Sequence, residues 1–233
     1  MNKNLTGKMP GLVPAAWTTI YHAVERNVPR VWEFLMVILL CPSEWQYLPA
    51  WMLAYRKSPL SIHMPWLPYA VISYLKSLLT VEAVVFEYGG GGSTLWLAER
   101  VGSLTTVEHD PRWWAKIGRE LQKSAATNCT LLLQSLPMGE VEDFEKYVEV
   151  IDQFPDERFD LVIVDGMSGC RPACLQHAAS KVRRGGLLVL DDAHRKDYET
   201  AMKSLQSWSR RDFHGIRPGA LEPGHTTCWT RPV

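Results

Sequence analysis

The sequence predicts a doubly wound α/β fold with a mostly parallel, seven-stranded sheet, preceded by a helical N-terminal lid over residues 1–80. Three observations carry this. Beyond about residue 80, short β-rich runs alternate with helix-like segments, the pattern of parallel strands joined by right-handed helical crossovers. One of these runs opens directly into four consecutive glycines, Gly89 to Gly92, and then a helical segment. The last two β-rich runs flank a Gly/Pro-rich loop instead of a helix, which predicts a closing antiparallel pair.

Taken in order, the segment before Leu79 holds Trp17, Trp32, Trp45, Trp51 and Trp66 among prolines and helical runs such as Pro68 to Leu79, with little strand signal. Its most apolar stretch, Val31 to Cys41, carries Glu33 and has about half of the roughly 20 residues a spanning helix needs. It reads as a buried cap helix, with a membrane-surface or homodimer contact as alternatives. Glu25, Arg26, Arg30 and Glu33 crowd its approach, so it does not read as a signal peptide. Residues 81–233 form the expected catalytic domain. Strands are expected at Val84–Glu87, Leu104–Glu108, Thr130–Leu133, Leu161–Asp165 and Leu187–Asp191, and the closing pair at Arg211–Ile216 and Thr226–Thr230. The intervening helices are expected near Ser93–Val101, Pro111–Ala125, Tyr147–Gln153, Arg171–Val182 and Tyr198–Ser207.

Composition narrows the function classes. The 233 residues, 46% of them hydrophobic, can fill one large core. Lys plus Arg and Asp plus Glu both number 25, so no global positive field gathers polyanions, which argues against nucleic acid as the main partner. Cys41, Cys129, Cys170, Cys174 and Cys228 make no disulfide framework, and the Cys170/Cys174 spacing is not that of a C-x-x-C zinc or redox site. A reducing, cytoplasmic setting follows as the expectation.

The glycine run is where chemistry first becomes legible. The strand ending Val85-Phe86-Glu87 enters Tyr88-Gly89-Gly90-Gly91-Gly92-Ser93-Thr94, and a helix begins just beyond. Glycines let a backbone turn tightly against a ligand, and the helix start offers unpaired N–H groups. The next strand ends at Glu108, about 20 residues on, where doubly wound folds place an acid that takes ribose hydroxyls. That spacing alone suits NAD equally well. Thr94, however, stands where a dinucleotide fingerprint wants a small residue, and Glu87 lies two residues before the first glycine. A carboxylate there suits a cationic aminoacyl or sulfonium ligand better than a pyrophosphate. An NAD-dependent oxidoreductase and a non-catalytic cofactor-binding module remain the competing readings.

At these residues the chain resembles the class I S-adenosylmethionine-dependent methyltransferases, a Rossmann-like family. Phe86 to Thr94 looks like the family's first motif, and Val107-Glu108-His109-Asp110 like its ribose-binding segment. Phe159-Asp160-Leu161-Val162-Ile163-Val164-Asp165-Gly166 is similar to the fourth-strand motif, and Arg184-Gly185-Gly186-Leu187-Leu188-Val189-Leu190-Asp191-Asp192 to the fifth. The resemblance implies S-adenosyl-L-methionine as cofactor. Glu87, Gly89, Gly91, Ser93 and Thr94 would hold its methionine end, Glu108 its ribose, His109 would stand beside the adenine, and Asp165 would complete the site. The resemblance does not identify the methyl acceptor; the leading reading is a small molecule, with oxygen favoured over nitrogen, and the absence of an Asn-Pro-Pro-Tyr-like tetrapeptide after the fourth strand weighs against nucleobase amines.

Asp165, Asp191 and Asp192 would share the carboxyl edge of the sheet, where open α/β folds bind ligands. In the metal-dependent catechol-type O-methyltransferases, which this pattern resembles, acids there hold Mg²⁺, a hard cation suited to oxygen donors. Here Asp192 replaces an Asn and Ser168 a lysine base. The other reading has Asp165 ordering the cofactor while Asp191 and Asp192 cap the following segment. His194, just past the fifth strand, is the candidate general base, with Asp165 the other candidate catalytic residue. His177 is expected to pack within a helix, and Arg171 and Arg195 to form helix-surface ion pairs or to bind an acidic acceptor. Trp113 and Trp114 would pack a helix on the sheet, one of them near the adenine, and Trp66 and Tyr69 would close over an acceptor.

Overall fold

The computed structural model describes residues 30–135 and 143–233. One seven-stranded sheet in the order β3-β2-β1-β4-β5-β7-β6 organises them. Its strands are β1 (Val84–Tyr88), β2 (Ser103–Glu108), β3 (Cys129–Leu133), β4 (Phe159–Val164), β5 (Val182–Asp191), β6 (Ser209–Gly215) and β7 (Gly224–Thr230). Strands β1 to β5 pair in parallel, and β7 runs antiparallel to both β5 and β6. The expected sheet is therefore present. Strand β5 starts at Val182 instead of Leu187 because its extension pairs with the chain end: Gly185 N–H donates to Arg231 O and Arg231 N–H to Gly186 O.

The helices are α1 (residues 30–40), α2 (Leu48–Ala54), α3 (Tyr69–Leu78), α4 (Gly92–Ala98), α5 (Pro111–Lys123), α6 (Asp143–Val148), α7 (Arg171–Lys181) and α8 (Glu199–Lys203). Helix α5 starts where its sequence says it should: the Asp110 carboxylate accepts the N–H groups of Arg112 and Trp113, with Pro111 in the first turn. Successive strand residues point to opposite faces, and the core divides accordingly. Phe86, Tyr88, Val162, Val164, Leu188 and Leu190 pack with α7. Val85, Leu161, Ile163, Leu187 and Val189 pack on the other face with α3 and with Trp96 and Leu97 of α4. Full burial of each such side chain contributes roughly 1.5–3 kcal/mol.

The helical N-terminal segment is stitched to the C-terminal hairpin. Tyr69 N–H donates to Ile216 O at 3.0 Å, the Glu44 carboxylate accepts the Ile216 N–H at 2.8 Å, and Trp51 Nε1 donates to Ala220 O at 2.6 Å. Helix α1 departs from the expected buried cap: Phe34 and Val37 are inside, but Trp32, Leu39 and Leu40 are 64–70% exposed. Among the described residues no helix is long and apolar enough to cross a membrane. Trp17 lies outside the described residues.

Strand β1 sits between β2 and β4, so the crossovers leave it in opposite directions and open a crevice at its carboxyl end. That crevice positions everything below.

Candidate functional site

At the end of β1, Gly89 donates its N–H to Val107 O and takes φ = 84°, a left-handed conformation that a side chain resists. A Cβ there would also meet Gly166 Cα at 2.5 Å. The turn is closed by hydroxyls. Thr94 Oγ1 accepts the Gly91 N–H at 2.9 Å and donates to Glu87 Oε2 at 2.7 Å, and Thr106 Oγ1 donates to the same oxygen at 2.9 Å. Around Gly91 the space is open, since an added Cβ would meet nothing closer than Ser93 Oγ and Trp113 Nε1, both at 4.0 Å. Pro59 and Met64 carbonyls lie against Gly92 on the other side, so residues 59–64 cover the start of α4.

Glu87 is fully buried, and its Oε1 has no hydrogen-bond partner among the described residues. Burial pushes its pKa up to about 7, against the nearby hydroxyls of Ser93, Thr94 and Thr106 and with the repulsion of Glu108. Glu108 closes the crevice from β2: its Oε2 accepts the Gly90 N–H at 3.0 Å, and its Oε1 accepts the His109 and Asp110 N–H groups, each at 2.8 Å. His109 Nδ1 lies 2.9 Å from Glu108 Oε1, a contact that raises the imidazole pKa despite partial burial. Trp113 Nε1 donates to Gly90 O at 2.7 Å, which places one face of the crevice on an indole. Trp114 Nε1 reaches Leu131 O instead and packs α5 on β3.

The structure thus gathers Glu87, Gly89, Gly91, Ser93, Thr94, Glu108 and His109 around one turn. Asp165, just past β4, is held there as well, by its N–H to Tyr88 O at 2.9 Å. The crevice can receive a ligand with a cationic group for Glu87 and hydroxyls for Glu108.

Asp165, Asp191 and Asp192 also converge, but on a guanidinium. Arg171, only 8% exposed at the start of α7, donates from Nη2 to Asp165 Oδ1 at 2.9 Å, from Nη1 to Asp191 O at 2.9 Å and Asp192 Oδ2 at 3.2 Å, and from Nε to Gly166 O at 2.9 Å. Its Nη1 is 3.7 Å from Asp191 Oδ2, while Thr226 Oγ1 donates to Asp191 Oδ1 at 2.7 Å. The expectation for Arg171 is corrected: it is a buried internal counter-ion, not a surface pair, and it engages one carboxylate oxygen each of Asp165 and Asp192 and the Asp191 carbonyl, at the residues also expected to hold Mg²⁺. Burial first, then neighbouring acids, raise the Asp165 and Asp191 carboxyls, with Arg171 opposing. Among the described residues no cluster of three His, Cys, Asp or Glu is arranged to hold a metal ion.

His194 stands apart from the acids, exposed, with its ring 4.6 Å from His225; His225 in turn stacks on His214 at 3.8 Å. These rings line a groove with Arg210, Asp212 and Phe213. Burial and then His214 and His194 bring the His225 pKa down to about 4. His177 is not packed inward but pairs with Asp152 Oδ2 at 2.6 Å. Arg195 stays at the surface, with Asp197 at 3.7 Å. Trp66 is half exposed beneath Arg217, 4.3 Å from its ring, and Tyr69 is buried against Tyr47.

Sequence reasoning passed over Thr106, the Trp113 contact to Gly90, and the His214–His225 pair. The pair was accessible, because closing the hairpin symmetrically about its Gly/Pro loop brings His214 opposite His225.

A family model described as a methyltransferase domain matches residues 86–193, the span of the four motifs. No curated protein matches the chain. Among solved structures, an rRNA methylase from Streptococcus thermophilus superposes with a TM-score of 0.54 at 15% identity, covering 70% of this chain and 95% of that one. A candidate methyltransferase from Streptococcus mutans in complex with SAH gives 0.53 at 12%, covering 72% and 99%. A candidate O-methyltransferase from Klebsiella pneumoniae gives 0.53 at 20%, covering 70% and 77%. At such identities the likeness establishes the fold, and the family match is to a methyltransferase domain over the motif-bearing residues 86–193.

Proposed function

We propose that the chain methylates an oxygen of a small-molecule acceptor, with Glu87 and Glu108 as the two anchors of the cofactor. The observation that carries this is the partnerless, buried Glu87 Oε1 beside the open side of Gly91. A buried carboxylate with an unmet oxygen calls for a cationic donor, which the α-ammonium of the methionine end provides. Gly89, Ser93 and Thr94 shape that end of the crevice, Glu108 accepts ribose hydroxyls, His109 flanks the adenine, and Asp165 bounds the site at β4. When bound, S-adenosylmethionine supplies an electrophilic methyl on a sulfonium, open to in-line displacement.

The residues of the chain then have two tasks, to hold the acceptor in line and to receive its proton. His194 receives the proton at an imidazole nitrogen, backed by His225, which stays neutral at physiological pH. Residues 59–64, which cover α4, support a lid role for the N-terminal segment. The balanced charge favours a small acceptor over RNA, and the five free cysteines fit a reducing, cytoplasmic setting.

Two measurements test this. Isothermal titration should show binding of S-adenosylhomocysteine and none of NAD; the reverse would replace the reading with an oxidoreductase. Transfer of labelled methyl from S-adenosylmethionine should then occur to hydroxylated small molecules in a panel that includes amines and RNA. Labelling of RNA alone would sink the acceptor proposal while leaving the cofactor site standing.

A further inference from the structure

We infer that Arg171 is a built-in replacement for a divalent cation: its guanidinium fills the oxygen site between the ends of β4 and β5, so the protein takes no metal there. The argument rests on the donor set. Asp165 Oδ1, Asp192 Oδ2, Asp191 O and Gly166 O converge from two strand ends and the turn after β4, all oxygens, two of them anionic. A hard cation such as Mg²⁺ takes such a set at about 2.0–2.1 Å. Here each oxygen lies 2.9–3.2 Å from a guanidinium nitrogen, the length of a charge-assisted hydrogen bond. The donors are spread over Nε, Nη1 and Nη2, so the planar fork is used on every edge and cannot swing away without abandoning several partners at once.

The surroundings are built to keep it. Asp192 adopts φ = 52°, a left-handed conformation uncommon outside glycine, and from it turns its carboxylate to Arg171. Asp191 Oδ1 is engaged by Thr226 from β7, and Asp191 Oδ2 lies 3.7 Å from Arg171 Nη1. Arg171 is the first residue of α7, so its backbone is fixed by the helix while its side chain reaches back over the turn. A guanidinium cannot be deprotonated and cannot be washed out. It gives the acids one permanent positive charge, and it offers no open coordination position to an acceptor oxygen. Catalysis by an acceptor bound to a metal at this site is thereby excluded on the geometry of Arg171 itself.

Direct metal binding tests this, with no acceptor or turnover involved, so the result is separate from the acceptor proposed above. Wild type, Arg171→Ala and Arg171→Lys are stripped with EDTA and titrated with Mn²⁺, followed by calorimetry and by loss of the free-ion EPR signal, with thermal melts in EDTA and in Mg²⁺. Wild type and Arg171→Lys should show no saturable uptake at millimolar Mn²⁺ and the same melting temperature in both solutions. Arg171→Ala should bind the ion at least about tenfold tighter than wild type and melt higher in Mg²⁺ than in EDTA. Saturable binding by wild type, or a wild-type melt that drops in EDTA, overturns the inference, as does a folded Arg171→Ala that ignores the ion. If Arg171→Ala does not fold in chelator, refolding decides: recovery with Mg²⁺ supports the inference, and failure in both conditions together with a metal-indifferent Arg171→Gln overturns it.

Discussion

Two carboxylate clusters stand at the same edge of the sheet and are wired differently. At the β1 and β2 ends, Glu87 is buried with one oxygen unmet and no cation among its hydrogen-bond partners in the described residues. At the β4 and β5 ends, Asp165, Asp191 and Asp192 share Arg171. On the reading proposed above, the first cluster takes its cation from a ligand, whereas the second has one supplied by Arg171. Like residues in like positions on a fold therefore differ in whether a neighbouring helix delivers a counter-charge.

The strongest way to break that contrast is Glu87→Gln. Removing one partner of a buried charge pair should weaken S-adenosylhomocysteine at least about a hundredfold. The same change should stabilise the ligand-free fold above neutrality. A carboxyl raised from 4.5 to about 7 is favoured protonated in the folded state, so its cost appears as pH rises from 4.5 through about 7 and is full above that. Urea melts should show a gain on the order of 3 kcal/mol at pH 8 and little at pH 4. An equal loss of stability at both pH values would mean that Glu87 is structural.

Glu108→Ala should act with the opposite sign on stability. Its oxygens accept three backbone N–H groups, so the fold should weaken by about 1–3 kcal/mol while the ligand loosens about ten- to hundredfold. A stable variant with unchanged affinity would remove Glu108 from the site.

Gly91 and Gly89 sharpen the comparison sterically. Gly91→Val puts its Cβ at an ordinary 4.0 Å from Ser93 Oγ and Trp113 Nε1 on an extended backbone, so it should cost less stability than Gly89→Ala yet weaken the ligand about tenfold or more. Gly89→Ala, at φ = 84° and against Gly166, should instead lower the melting temperature. Normal binding by a folded Gly91→Val would show that the ligand lies elsewhere.

The smallest effect is graded. If Glu87 must be ionised to pair with the ligand ammonium, affinity should fall up to about tenfold per unit below pH 7 and be flat above it. The slope should vanish in Glu87→Gln, and a slope that survives there would assign it to His109, whose pKa is also raised.

The fold was legible because its signals are local. Val84 to Thr94 shows strand, turn and helix start in eleven consecutive letters, and the four-glycine run can be read without knowing what surrounds it. The five parallel strands and the closing hairpin follow from alternation and turn chemistry alone. The ends of elements were less legible: Val182 to Gly186 joins β5 through Phe159 of β4 and Arg231, neither of them local in sequence.

By itself the sequence determined the sheet, the glycine turn with its two acids, and the place of the acid trio at the carboxyl edge, since each depends on spacing along the chain. Only the tertiary structure decided what those acids face. Arg171 looked like any arginine at a helix start until Gly166, Asp191 and Asp192 closed around it. Glu44 is buried because its partner, the Ile216 N–H, comes from 172 residues away. Whether a carboxylate is met or unmet depends on donors brought from other elements, and hydrogen bonds reach about 3 Å in space with no regard to distance along the chain.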